Sequence, residues 1–180
     1  NQVCLAEAQH AGAIVRKTAC SDKFDDMRYW PRPRYKMLDW DKQIAGRSKV
    51  FSLYSYEQGY SGTLGDYWEF IRVCKKQATI PIIGSIFADK AGDWVDLATK
   101  VEESGADAIE LDISSPHRPG SLGFESTFVA AIKAVVAAVK FPVLVKLGAG
   151  SDVPDQCVAA ELSGASAVTL CNRLRGIDID

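Results

Sequence analysis

Hydrophobic residues in the second half of the chain fall into short, nearly unbroken runs separated by longer periodic stretches. The segments 80–87, 107–113, 142–147 and 167–171 are almost continuously apolar, as strands are in a sheet covered on both faces. Between them, the spacing predicts helices over 94–103, 127–139 and 153–162. Gly105-Ala-Asp-Ala and Gly164-Ala-Ser-Ala each join a helix end to a strand start, where glycine suits the left-handed cap. Gly12-Ala-Ile is a weaker third copy, after a helix tail over 4–11 and before a short strand over 13–17. Residues 18–22 read as the exit loop of that strand.

The stretch 22–49 breaks the pattern: it is polar and irregular, and it carries Arg28-Tyr-Trp-Pro-Arg-Pro-Arg-Tyr35. Interleaved arginines and aromatics suit an anion or a flat ring, and they also suit an ordinary surface loop stiffened by prolines. Val50-Phe-Ser-Leu-Tyr54 alternates as a strand does, and Gly59, Gly62 and Gly65 follow as a loop. A helix is predicted over 66–76 with Trp68, Ile71 and Cys74 on its apolar stripe.

Strand starts recur at the spacing of βα units, so the expected fold is α/β: a (β/α)8 TIM barrel. A doubly wound sheet is the alternative. Five barrel strands are countable, at 13–17, 81–87, 107–113, 142–147 and 166–171, and five do not close an eight-stranded wall. The expectation is therefore one domain over 1–180 that forms an incomplete barrel, with an irregular insertion around 22–62.

Composition narrows the function classes. A net charge of −2 offers no basic surface for nucleic acid. No apolar run reaches the roughly 18 residues of a membrane span, and no signal peptide is visible. These features suit a cytoplasmic protein, with a homo-oligomer left open. The five cysteines contain no Cys-x-x-Cys pair, which argues against a disulfide framework or a metal site and suggests buried thiols.

Candidate chemistry collects at the strand ends. Glu110-Leu-Asp-Ile-Ser-Ser-Pro-His117 runs out of a strand and breaks at Pro116 into a loop. In parallel α/β folds the C-terminal strand ends carry the chemistry. Lys17 and Thr18, Ser85, Asp112 with Ser115, Lys146, and Asn172 with Arg173 occupy equivalent positions. Lys17 and Lys146 have no carboxylate in their own strands to pair with, which suggests an electron-rich ligand.

The motifs are similar to those of the dihydroorotate and dihydropyrimidine dehydrogenase superfamily. Glu110-Leu-Asp-Ile-Ser-Ser-Pro-His117 resembles its Glu-Leu-Asn-x-Ser-Cys/Ser-Pro-Asn/His segment. Val145-Lys-Leu147 resembles its Val-Lys-Leu-x-Pro strand, and Thr169-Leu-Cys-Asn172 its Thr-x-x-Asn strand, followed by Gly176-Ile-Asp-Ile-Asp180. Gly12-Ala-Ile-Val-Arg-Lys-Thr18 and Pro31-Arg-Pro-Arg-Tyr35 resemble its first lysine strand and the stretch after it.

The resemblance implies an FMN-binding barrel of pyrimidine metabolism that moves a hydride between a carbon–carbon bond of a cyclic dihydro compound and flavin N5. It implies Ser115 as the catalytic base and Lys146 as the lysine facing the flavin N1–O2 edge. Lys17, Thr18, Asp112 and Asn172 would lie against the cofactor. Lys17, Ser52, Asp112, His117, Asn172 and Arg173 would face the substrate. No metal is implied. A serine hydroxyl needs a relay to act as a base, and His117 and Thr18 are candidate neighbours.

Three positions depart from the family pattern. Asp112 and Ser52 stand where the family has asparagine, and Arg173 where threonine or serine is usual. An ionised carboxylate only accepts hydrogen bonds, so the substrate edge should be read differently here. The family's first strand would precede Asn1, and the loops that hold the FMN phosphate would follow Asp180. Two alternatives remain open: a barrel relative that has lost redox chemistry and binds a small ligand or partner, and a lyase or isomerase using Lys17 or Lys146 as a Schiff-base amine.

Overall fold

The structure, a computed structural model, describes residues 2–20, 32–36, 54–57, 62–88, 91–113, 124–148 and 152–172. Its elements run α1 (Gln2–Ala8), β1 (Ile14–Val15), β2 (Ala19–Cys20), β3 (Arg32–Lys36), β4 (Tyr54–Glu57), α2 (Leu64–Gln77), β5 (Ile82–Phe87), α3 (Ala91–Glu103), β6 (Ala108–Leu111), α4 (Phe124–Ala138), β7 (Val143–Lys146), α5 (Val153–Leu162) and β8 (Ala167–Thr169).

The main sheet is parallel in the order β1-β5-β6-β7-β8, with β2 also pairing β5. From β5 to β7 each strand is followed by a helix and then by its spatial neighbour, which is the succession of a TIM-barrel wall. Among the described residues the wall is open, with β1 and β8 at its ends. It is a partial barrel, as the strand count predicts.

Period two along each strand separates two faces. Ile109, Leu111, Val143 and Val145 are buried with Leu97, Ala98 and Val101 of α3 and Phe128, Ile132 and Val135 of α4. Burying each of the larger of these side chains contributes roughly 1.5–3 kcal/mol. The approach of α3 to the sheet is close: a Cβ on Gly84 would lie 2.5 Å from Val101 Cγ1. The alternate positions, Ser85, Glu110, Asp112, Lys146 and Thr169, share the other face.

Helix ends follow their local chemistry. Gly105 and Gly164 take left-handed φ values of 85° and 92°, as the two Gly-Ala repeats require. Gly12 does not share this role; α1 stops at Ala8 and His10 carries the left-handed turn, with φ 62°. Helix α2 begins two residues before the predicted start. Thr63 caps it by accepting the Asp66 N–H at 3.1 Å, and the Thr63 N–H donates to the Asp66 carboxylate at 2.9 Å. Gly65 therefore lies inside the helix, and the buried stripe is Tyr67, Ile71 and Cys74, with Trp68 half-buried.

Two further expectations change. Within the 22–49 stretch, β3 pairs antiparallel with β4, so this polar region contains a strand. Buried thiols describe Cys74 alone: Cys4 and Cys171 are exposed, Cys20 and Cys157 are half-buried, and all five are free.

The opposite, N-terminal end of the sheet is tied by polar contacts. Asp107 accepts the Ile82 N–H at 2.7 Å and binds Lys75 Nζ through both oxygens at 2.7 Å. This joins the end of α2 to the starts of β5 and β6, where barrels invest in stability rather than chemistry.

Candidate active site

The first strand resumes where an exit loop is predicted. Ile14 and Val15 pair with Ile82 and Ile83, and Ala19 and Cys20 with Ile86 and Phe87. Between these pairings Arg16, Lys17 and Thr18 stand opposite only Gly84 and Ser85. The extra residue is a bulge, the device that re-aims side chains at a sheet's functional end. A bulge leaves backbone groups without strand partners, and buried ones need partners elsewhere. Tyr67 supplies them for Ser85: its hydroxyl donates to the Ser85 carbonyl and accepts the Ser85 N–H, both at 2.9 Å.

The bulge aims Thr18 into the site. Thr18 Oγ1 lies 2.9 Å from Ser85 Oγ and donates to Asp112 Oδ2 at 3.3 Å. Lys17 is exposed, and no hydrogen bond or ion pair joins it to the described residues of this cluster. Arg16 stacks its guanidinium over the Phe70 ring, 3.9 Å from the centroid.

From Thr18 the network runs across four strands. Ser85 Oγ donates to Glu110 Oε1 at 3.1 Å, and Thr169 Oγ1 donates to Glu110 Oε2 at 2.8 Å. Asn172 donates its side-chain amide to Asp112 Oδ1 at 2.8 Å. Asn172 is held in turn by its backbone N–H, which donates to the Leu147 carbonyl at 2.8 Å. Lys146 Nζ sits 3.6 Å from Glu110 Oε1 and 3.6 Å from Asp112 Oδ2.

Lys146 thus has two carboxylate neighbours, although its own strand, as the sequence shows, supplies none. Both come from the adjacent strand, where pairing within one strand cannot reveal them. At 3.6 Å the ammonium is attracted to both but is beyond good hydrogen-bond length to either. Its side chain is 22% exposed, so its N–H groups can reach an acceptor on the open face.

Burial pushes the Asp112 carboxyl above the ordinary carboxylate range. The Lys146 ammonium opposes this, the Glu110 carboxylate adds to it, and the Thr18 hydroxyl opposes it again. A perturbed carboxyl inside a polar cluster at strand ends is what functional sites tend to have.

Of the residues singled out in the sequence, Thr18, Ser85, Asp112, Lys146 and Asn172 come together. Ser52, Ser115, His117 and Arg173 lie outside the described residues. Glu110 and Thr169 were not singled out as site residues. Glu110 has a sequence signature, a charged residue in an otherwise apolar strand two positions before Asp112 and so on the same face. Among the described residues no group of histidines, cysteines and carboxylates is arranged to hold a metal ion. Nor is any helix there long and apolar enough to cross a membrane.

A parallel barrel wall with a mixed-charge polar cluster at its C-terminal strand ends defines the class: a partial TIM barrel. The model of the dihydroorotate dehydrogenase family matches residues 61–177. The chain belongs to that family.

Among curated relatives, the catalytic subunit of dihydroorotate dehydrogenase B (NAD(+)) from Methanocella arvoryzae is 35% identical over 140 residues, 72% of this chain and 46% of that protein. The corresponding subunit from Thermoplasma volcanium is 39% identical over 110 residues, 58% of this chain and 36% of that protein. Dihydroorotate dehydrogenase A (fumarate) from Lactiplantibacillus plantarum is 36% identical over 107 residues, 56% of this chain and 35% of that protein. The chain spans less than half the length of these relatives.

Proposed function

We propose that the strand-end cluster is the flavin-facing and substrate-facing part of an oxidoreductase that acts on the carbon–carbon bond of a cyclic dihydro compound. The observation that supports this most directly is the meeting of Lys146, Asp112 and Asn172, from three segments, on one face of a barrel wall of this family. The donor set suits FMN. The pyrimidine end of a flavin presents carbonyl oxygens and one N–H, and the cluster offers an ammonium, an amide and a carboxylate. Bound there, FMN would supply the hydride acceptor at N5.

This chain's own residues would do the remaining work. Lys146 would donate to the electron-rich N1–O2 edge and stabilise negative charge there. Asp112 would accept from an N–H of the bound ring, while Thr18 and Asn172 keep its two oxygens oriented. Ser115, three residues beyond Asp112, would take or return the proton at the neighbouring carbon, with a neighbouring group relaying it. Lys17, Ser52, His117 and Arg173 remain proposed contacts by motif position.

Titrating the protein with FMN and following flavin fluorescence tests the reading. Wild type should bind, and Lys146→Ala should bind more weakly or hold the flavin at a lower reduction potential. Equal affinity and potential in the two proteins would remove Lys146 from this role.

A further inference from the structure

We propose that Glu110 is the positioning residue for the Lys146 ammonium, clamping it at the sheet mouth through a carboxylate that Ser85 and Thr169 hold from either side. The proposal rests on the flavin reading only in naming the ammonium's target.

Glu110 is 2% exposed and lies in the middle of β6. A buried carboxylate is costly unless paired and hydrogen-bonded. Here both oxygens are engaged by hydroxyls from other strands: Oε1 by Ser85 at 3.1 Å and Oε2 by Thr169 at 2.8 Å. Ser85 stands opposite Glu110 in the β5–β6 register, and Thr169 opposite Lys146 in the β7–β8 register. Three strand pairings therefore fix one carboxylate relative to one lysine.

Asp112 cannot do the same alone. It is 14% exposed, and its oxygens serve Asn172 and Thr18. It also lies toward the mouth, where a ligand would compete for it. Glu110 sits one pleat deeper on the same face. It would hold the ammonium whether or not Asp112 is engaged, leaving the lysine N–H groups directed outward.

The reactivity of Lys146 toward an amine-acylating reagent, mapped by mass spectrometry, tests this in the full chain without FMN. A lysine pinned against a carboxylate is held in one geometry and meets the reagent less often than a free one. In Glu110→Gln, which loosens that hold, acylation at Lys146 should rise severalfold, while the exposed Lys133 and Lys140 react as before. A folded Glu110→Gln protein with unchanged Lys146 reactivity would overturn the proposal.

If that variant does not fold, Thr169→Val decides. It keeps both charges but releases one carboxylate oxygen, so Lys146 reactivity should rise by a smaller factor; an unchanged rate overturns the proposal. Adding FMN to wild type is a separate arm. Failure of FMN to protect Lys146 would count against the flavin reading while leaving the comparison without FMN intact.

Discussion

Asn172 and Asp112, 60 residues apart, meet through an amide N–H that donates to a carboxylate oxygen at 2.8 Å. The contact links the end of β6 to the segment after β8 and spans β7. It also bears on pH dependence, because the Asp112 carboxyl is held above its ordinary value of 3.8 by burial. A carboxyl that binds its proton more tightly when folded stabilises the fold fully below its unfolded value. That contribution is lost as pH rises through the folded value. Wild-type stability should therefore decline in the window just above pH 3.8, and Asp112→Asn should lack that part of the decline. Urea denaturation of both proteins across the window checks it, and identical pH profiles would refute it.

Tyr67→Phe should destabilise the protein by roughly 2–4 kcal/mol, because two backbone groups of Ser85 lose their partner in a buried place. The ring would stay, so lost packing would not account for the change. Denaturant midpoints read the effect, and a cost below about 0.5 kcal/mol, the low end for one hydrogen bond, would show that the bulge finds other partners.

Gly84→Ala should cost roughly 1–3 kcal/mol, since the new methyl meets the Val101 side chain in a packed layer. The remedy is specific. In a Val101→Ala background the same change should cost less, and a double-mutant cycle measures the coupling. Additive costs would mean that α3 shifts instead.

Ser115→Ala should slow flavin reduction by roughly two to four powers of ten, the usual contribution of a positioned base, with flavin content little changed. Ser115→Cys should keep activity with a lower pH optimum, because a thiol ionises at about 8.5 and an alcohol far higher. Stopped-flow reduction with dihydroorotate as the first compound tried compares the variants. An alanine protein reduced as fast as wild type would take Ser115 out of the mechanism.

The apolar runs around Ile82, Ile109 and Val143 determined by themselves that buried parallel strands alternate with helices. Strands this apolar must be covered on both faces, and the periodic stretches between them supply the helices that do so. Gly105 and Gly164 marked the turns into β6 and β8 because only a residue without a side chain sits there at low cost. The strand-end positions of Thr18, Ser85, Asp112, Lys146 and Asn172 followed from that periodicity, and the motifs around them carried the family.

What only the tertiary structure decided depends on contacts between distant segments. A one-residue bulge turned Thr18 rather than Lys17 toward Asp112, and a bulge is a property of two strands in register. Tyr67 rather than Trp68 became the buried anchor of α2 because the Ser85 backbone needed its hydroxyl. Lys146 acquired Glu110 and Asp112 across a strand boundary. Which side chains of neighbouring strands meet depends on the register between them, and it takes both strands together to define a register.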